Sequence, residues 1–456
     1  MFNKILIANR GEIAIRVIRA CQEMGIHTVA VYSEADADSL HVTLADEAHC
    51  IGEPPSAKSY LVTEKILAAA KDSGAEAIHP GYGFLSENAD FARAVAAAGL
   101  VFIGPSAETI EQAGDKITAK KLMKVAGVPL IPSSDGGVAE LSQAHLIADE
   151  IGYPVMIKAT GGGGGRGIRV CADASVLSEE FMIAKAEAKA ACGNDEVYIE
   201  KCIVDPRHIE FQILADQSGK VIHLGERECS VQRRFQKLIE EAPSPALDDA
   251  MRQKMGKVAI KAAEAVNYTN AGTVEFLLDQ DGDFYFIEIN SRIQVEHPVT
   301  EMVTGIDLIK QQIEIAAGSS LDFDYDSLTL RGWAIECRIN AENPDFNFMP
   351  CPGTVENFRA PGGFGVRLET HLYQGYSLPI YYDSMIGKLI AFDLTREGAI
   401  KIMRRALSEM SVEPLKTTIG LHARIMEDED FINGDIHTGY IKKFVPDEDD
   451  DDDDDD

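Results

Sequence analysis

No two of the eight cysteines (21, 50, 171, 192, 202, 229, 337 and 351) stand in CxxC spacing. The pattern therefore indicates neither a zinc site nor a redox dithiol, and most of these thiols are expected as small buried hydrophobes. Positive charge is scarce as well: 43 Lys and Arg stand against 74 Asp and Glu, a formal net charge of −31. A chain this acidic repels phosphate backbones, which argues against nucleic acid as a partner. No apolar run approaches the ~20 residues needed to cross a bilayer. The opening MFNKILIANRGEIAIRVIRA carries Glu12 and three arginines where an export signal needs an unbroken apolar stretch. A cytoplasmic protein with no membrane association is expected. Ten of the negative charges form the run 447–456, DEDDDDDDDD, which leaves −21 for the rest. Mutually repelling charges with nothing apolar to bury predict a disordered tail, read as a solubilising extension rather than an interaction segment.

What is present is ordinary globular material. The 456 residues are 45% hydrophobic and 26% charged, enough for about three domains at ~150 residues each. KILIAN, HTVAVYS and the start of AIHPGYGF read as strands, and IAIRVIRACQEMG as a helix closed by Gly25. Alternation of this kind predicts a parallel, doubly wound sheet that ends near VFIGPSAET, where Gly104 and Pro105 break the pattern. From about residue 115 the character changes. DKITAKKLMKVAG reads as a helix, and YPVMIKA and IRVC as strands around a glycine run. HIEFQILAD, KVIHLGE, TVEFLLD and DFYFIEIN alternate polar and apolar residues, as antiparallel strands do. A third segment begins near residue 330 and includes a helix at REGAIKIMRRALSEM.

Four stretches carry chemistry. The first is KATGGGGGRGIRV, residues 158–170, whose Gly162, Gly164 and Gly167 satisfy GxGxxG. A strand rather than a helix follows, so it is not a dinucleotide fingerprint, and no Lys-Ser or Lys-Thr follows the last glycine, so it is not a Walker A loop. A glycine hairpin whose bare N–H groups close on phosphates remains, with Lys158 adding charge; flanking strands disfavour a flexible linker. The second is TVEFLLDQDGDFYFIEIN. If residues 278 and 285 pair across the DQDG turn, Glu275 and Glu288 face each other. Opposed like charges destabilise a sheet, and a hard Mg²⁺ or Mn²⁺ between them, shared with ATP phosphates, resolves the conflict. Two solvated carboxylates are the plainer alternative, but VEFLL and FYFIEI are too apolar for an exposed face.

The third stretch, residues 290–297, reads NSRIQVEH. In extended chain Asn290, Arg292, Gln294 and Glu296 share one side and could hold a planar anion and take its proton. A structural Arg292–Glu296 ion pair is the bland reading and, taken alone, the favoured one. The fourth is ECSVQRRFQKLIEE, residues 228–241, with Arg233, Arg234 and Lys237 close together in an acidic chain. Such runs are commonly solvated faces; beside the other motifs, anion binding is the better reading.

IANRGEIAIRVIRA, AIHPGYGFLSEN, KATGGGGGRG, PRHIEFQ, ECSVQRR, EIN-R-QVEHPVTE, ECRINAE and YYDSMIGKL together resemble biotin carboxylase from residue 2 to about residue 444. The resemblance implies an α/β and α+β chain of ATP-grasp fold. A Rossmann-like N-terminal domain would span 1–114, an ATP-grasp domain 115–330 with a glycine-rich lid at about 131–204, and a C-terminal domain 331–446, ahead of the 447–456 tail. It also implies the family's reaction, ATP-dependent carboxylation of biotin at N1′ by bicarbonate, through carboxyphosphate. Carried over by position, Lys116, Lys158 and the glycines Gly162, Gly163, Gly164 and Gly165 would meet ATP phosphates. Glu200, Lys201 and Ile203 would form the hinge beside the adenine, with His208 and Gln232 at the ribose and Leu277 also in the ATP site. Glu275, Glu288 and Asn290 would hold two Mg²⁺ or Mn²⁺ ions. Arg292, Gln294, Val295 and Glu296 would bind bicarbonate, with Glu296 as its base. Lys237 would steady carboxyphosphate, Arg338 the biotin enolate, and Tyr82 would line the biotin pocket.

One residue departs from the family pattern: Phe235 stands where a ribose-contacting His is usual, and it cannot donate that hydrogen bond. No AMKM biotinylation motif occurs, so biotin is expected on a separate carrier protein, with a separate carboxyltransferase choosing among acetyl-CoA, propionyl-CoA, pyruvate and 2-oxoglutarate. A homodimer through the N-terminal region is expected from Arg19 and Glu23. Two other classes are weighed against this reading. Another ATP-grasp carboxylate–amine ligase would not need the Arg292–Glu296 row with Arg338. A non-catalytic nucleotide-binding subunit would need that machinery broken.

Overall fold

The computed structural model describes residues 1–159, 168–192, 197–321 and 329–445. The glycines 162–165 and the acidic tail lie outside the described residues. By chain contacts the molecule divides into two units, one of residues 1–128, 207–276 and 287 onward, the other of residues 129–206 and 277–286.

The larger unit opens with a five-stranded parallel sheet in the order Glu47–Gly52, His27–Ser33, Lys4–Ile7, Ala77–His79, Val101–Phe102. The apolar runs of its middle strands are buried, as a sheet covered on both faces requires. A tight turn leads from the first strand into helix Gly11–Glu23, and Gly11 makes it possible with φ +66°, a region side chains disfavour. Ile13, Ala14, Val17, Ile18 and Cys21 then face the core at helical spacing. The same turn sends Arg10 inward, where Nε and Nη2 each lie 2.7 Å from the Asp36 carboxylate, with the Tyr382 ring 4.1 Å from the guanidinium. Although burial opposes it, Arg10 holds the Asp36 carboxyl down to about 2.

The second sheet has eight strands in the order Phe284–Asn290, Asn270–Leu278, Arg207–Ala215, Val221–Arg233, Gln236–Ala242, Trp333–Asn340, Met385–Asp393, Val366–Thr370. From Arg207–Ala215 to Val366–Thr370 every neighbouring pair is antiparallel. The sheet therefore crosses the change of sequence character near residue 330. Alternation in Trp333–Asn340 sends Ile335, Cys337 and Ile339 into the core beneath helix Arg396–Glu409 and puts Glu336 and Arg338 on the other face. Registers Glu240↔Glu336, Arg338↔Lys388 and Glu369↔Lys388 extend that face into a row of charge.

In the smaller unit, Ile168–Cys171, Val155–Ala159 and Val197–Lys201 form an antiparallel sheet with the middle strand shared. The strand–glycine–strand reading holds in its strands, with Val155 opposite Cys171 and Lys158 opposite Ile168. Helices Leu141–Ile151 and Ala174–Cys192 supply Ala144, Ala148, Leu177, Phe181 and Ala184 to its core.

One local expectation fails. The 290–296 row does not continue as strand: the strand ends at Asn290, and the chain turns at Val295 and Glu296 into helix His297–Thr304. Period-two alternation thus does not explain why these side chains converge; tertiary contacts do.

Candidate active site

The site in the larger unit is built around one ammonium. Strands Val221–Arg233 and Gln236–Ala242 form a hairpin whose two-residue turn, Arg234 and Phe235, has φ of +49° and +65°. Such a turn matches strand twist but is normally made by Asn-Gly, so here it is held against local preference. The register places Gln232 opposite Lys237. The Arg233 guanidinium lies 4.3 Å from the Phe348 ring centre and donates to Asn347. Phe235 is 75% exposed at the tip.

Lys237, with 11% of its side chain exposed, donates to Glu210 (2.6 Å), Glu275 (3.0 Å) and Glu296 (2.7 Å). Arg227 caps the far oxygen of Glu210. Glu275 also takes bonds from His208 (Nε2–Oε2 2.8 Å), Asn290 (2.8 Å) and Gln294 (3.2 Å). Arg292 donates to Gln294 (2.8 Å), Asn290 (3.3 Å) and Glu87 (2.8 Å). Glu296 is fully buried and takes Arg338 Nη2 at 3.0 Å, while Arg338 Nε holds Glu240 at 2.6 Å. The bland Arg292–Glu296 ion pair is thus not formed; each partner is engaged elsewhere.

Electrostatics follow from this layout. Burial pushes Glu296 up, but Lys237, Arg338 and Arg227 together hold it well below the usual carboxylate range. Glu275 is likewise held low, against burial, by Lys237 and His208. Burial raises Glu240 to about 7, with Arg338 opposing and the Glu296 charge adding. Glu288 is raised by burial and then by the Glu275 charge. It has no hydrogen bond or ion pair among the described residues, an arrangement that calls for a cation. Glu275, Glu288 and Asn290 offer hard oxygen donors of the type that Mg²⁺ takes, so the donor set fits that ion. Two close acidic groupings, His208/Glu210/Glu275 and Glu210/Cys229/Glu296, also have ligand-like spacing, but Lys237 already bridges both.

The remaining expected residues are placed as follows. Lys116 is the exposed first residue of helix Lys116–Ala126, behind Asp115, and acts electrostatically on Glu288. Tyr82 donates its hydroxyl to Glu12, and Val295 accepts Lys388 Nζ through its carbonyl at 2.7 Å. In the smaller unit, Lys158 pairs with Glu200 at 2.7 Å, Lys201 donates to the Gly152 and Tyr153 carbonyls (2.9 and 3.0 Å), and Ile203 and Leu277 are half-buried. Residues missed by sequence reading are Glu210, Arg227, Glu240, Glu12 and Lys388. A lone lysine inside the apolar MIGKLIAF and the alternating polar residues of HIEFQ were the available signals.

An eight-stranded sheet carrying convergent carboxylates and cations, with a small antiparallel sheet on a separate unit, fits the ATP-grasp class. Residues 115–323 match "Carbamoyl-phosphate synthase L chain, ATP binding domain", residues 1–110 "Biotin carboxylase, N-terminal domain" and residues 336–443 "Biotin carboxylase C-terminal domain". The chain is 59% identical to a biotin carboxylase of Nostoc sp. (97% of this chain, 99% of the relative). It is 56% identical to biotin carboxylase 1 of Bacillus subtilis (97% and 99%). A solved structure of the biotin carboxylase domain dimer of Hydrogenobacter thermophilus 2-oxoglutarate carboxylase, with MgADP, ADP and bicarbonate, superposes at TM-score 0.89 and 51% identity (97% and 98%). The chain belongs to the biotin carboxylase family, and its activity is ATP-dependent carboxylation of biotin. Among the described residues, no helix is long and apolar enough to cross a membrane.

Proposed function

We propose that Glu296 is the base of this reaction, and that Lys237, Arg292 and Arg338 are the cations that order its anions. The observation that carries this is the Glu296 carboxylate, fully buried and clamped between Lys237 at 2.7 Å and Arg338 at 3.0 Å. So paired, it is a poor base. When Lys237 turns to a phosphoryl anion, the carboxylate loses one of its counter-ions and its proton affinity rises as bicarbonate must be deprotonated; Arg338 meets the biotin enolate in the later carboxylation step. Arg292, Gln294 and the Val295 backbone receive bicarbonate; Tyr82 and Arg338 receive biotin. Lys116 meets the ATP phosphates, with Lys158 and the glycines 162–165 on the smaller unit; Glu200, Lys201 and Ile203 meet the adenine, and His208 and Gln232 the ribose, with Leu277 also in the ATP site. Glu275, Glu288 and Asn290 would hold Mg²⁺, which when bound offsets the phosphate charge.

The segments 1–114, 115–330 and 331–446 are proposed as the functional domains, with about 131–204 as lid, in a cytoplasmic subunit served by a biotin carrier protein and a carboxyltransferase. A homodimer is supported by the Hydrogenobacter thermophilus relative, whose biotin carboxylase domain is a dimer. Arg19 and Glu23 do not pair with each other: Arg19 meets Glu369 at 3.3 Å and Glu23 meets Lys310 at 2.6 Å. With the purified chain, ATP cleavage should require bicarbonate and rise with free biotin. Cleavage indifferent to both would contradict the proposal.

A further inference from the structure

Lys388 is 0% exposed, in the middle of strand Met385–Asp393. A buried ammonium is strongly unfavourable unless partners compensate its lost hydration, so where it is directed is informative. Lys388 Nζ donates to the Val295 carbonyl at 2.7 Å and lies 3.2 Å from Glu12 Oε1. The same Glu12 oxygen accepts the Tyr82 hydroxyl. Arg338 is its register partner on the neighbouring strand, and Glu369 its partner on the other side. Glu336, on the Arg338 strand, has both oxygens buried without a hydrogen-bond partner, and Lys388 is the charge that acts most on it. One cation thus ties three distant stretches, RGEIA, QVEH and IGKL, under the pocket. Its backbone contact falls between Gln294 and Glu296.

Packing alone does not call for this choice, because a buried ion pair replaced by apolar residues of similar volume is often neutral or stabilising. We infer that Lys388 is a positioning residue. Its ammonium fixes the Val295 carbonyl and hence the Gln294–Glu296 backbone against bicarbonate, and through Glu12 it fixes the Tyr82 hydroxyl beside biotin. The inference rests on the proposed assignment of 292–296 to bicarbonate and Tyr82 to biotin.

The test uses the full chain with Lys388→Met and Glu12→Gln, reading steady-state constants, binding of a non-hydrolysable ATP analogue and thermal melting. Losing one charge-assisted hydrogen bond should raise the bicarbonate KM of Lys388→Met by about tenfold or more, with nucleotide Kd changed by no more than about twofold. Glu12→Gln keeps the side-chain shape and should raise the KM for free biotin more than that for bicarbonate. An unchanged bicarbonate KM, or all constants moving together with a fallen melting temperature, overturns the inference. If Lys388→Met does not fold, Lys388→Arg carries the same test: it keeps the charge but displaces the donor, so a parental bicarbonate KM there overturns the inference too. Parental activity in Glu296→Gln would instead remove the underlying assignment. A dead Glu296→Gln with parental KM values in the Lys388 variants removes only the inference.

Discussion

Replacing Lys237 by Met should leave the buried carboxylates at the centre of the site without their shared ammonium. The lysine holds three carboxylates, Glu210, Glu275 and Glu296, at 2.6–3.0 Å, and all three are buried. Met fills the stem's volume, so packing loss is small; the loss is electrostatic. Removing one member of a buried ionic cluster costs about 3–5 kcal/mol, because the charges left behind stay desolvated and uncompensated. The pH dependence separates this from a packing defect. In the parent, Glu275 and Glu296 are held below the usual range. Their contribution is therefore complete above the unfolded Glu value of about 4.3 and is lost only as pH falls through their lower folded values. In the variant the ammonium is gone, and burial with mutual repulsion raises the same carboxylates. They bind protons in the folded state above about pH 4.3, so the variant loses stability as pH rises. The gap in melting temperature should therefore widen from about pH 4.5 to pH 8. Melting curves of both proteins across that range are the assay. A gap independent of pH, or a stability difference below about 1 kcal/mol at pH 8, would mean that the ammonium is not what holds these carboxylates together.

Phe235→His should tighten ATP binding by a few-fold, up to about tenfold, by restoring one ribose hydrogen bond, with bicarbonate dependence unchanged; weaker nucleotide binding in a Kd measurement would mean the ring has a working role. Asp36→Asn leaves buried Arg10 unpaired and should cost about 3–5 kcal/mol at neutral pH. Because the parent's carboxyl is held down to about 2, that advantage is full above its unfolded value and vanishes as pH falls to about 2; acid titration of melting reads it, and a constant gap counts against it. Glu288→Gln should raise the Mg²⁺ needed for half-maximal ATP cleavage by at least the ~10-fold seen when residues that merely orient a ligand are lost; an unchanged Mg²⁺ titration would remove Glu288 from the metal site.

The parallel sheet was legible because KILI and HTVAVYS are bounded apolar runs separated by a helix with a regular apolar stripe, all of it local. The antiparallel strands were legible for the same reason. The turn at Arg234 and Phe235 was not: neither residue favours φ > 0, and the turn is imposed by strands that Lys237 and its carboxylates hold in register. Nor was the bend at Val295 and Glu296, which no glycine announces and which Lys388, far along the chain, secures. The row of 290–296 singled out residues that the structure brings together, but through a mistaken extended geometry. Their convergence depends on partners such as Glu87 and Glu275 that spacing cannot reveal.

If Glu296 takes the proton of bicarbonate, the chemistry of this site turns on a single carboxylate. Bicarbonate-dependent ATP cleavage by Glu296→Gln, with nucleotide binding measured alongside, puts that to the proof. Loss of a general base typically lowers rate by ~10²–10⁴-fold. A fall of that size with nucleotide Kd unchanged is expected; turnover at the parental rate would contradict the role of Glu296 as base.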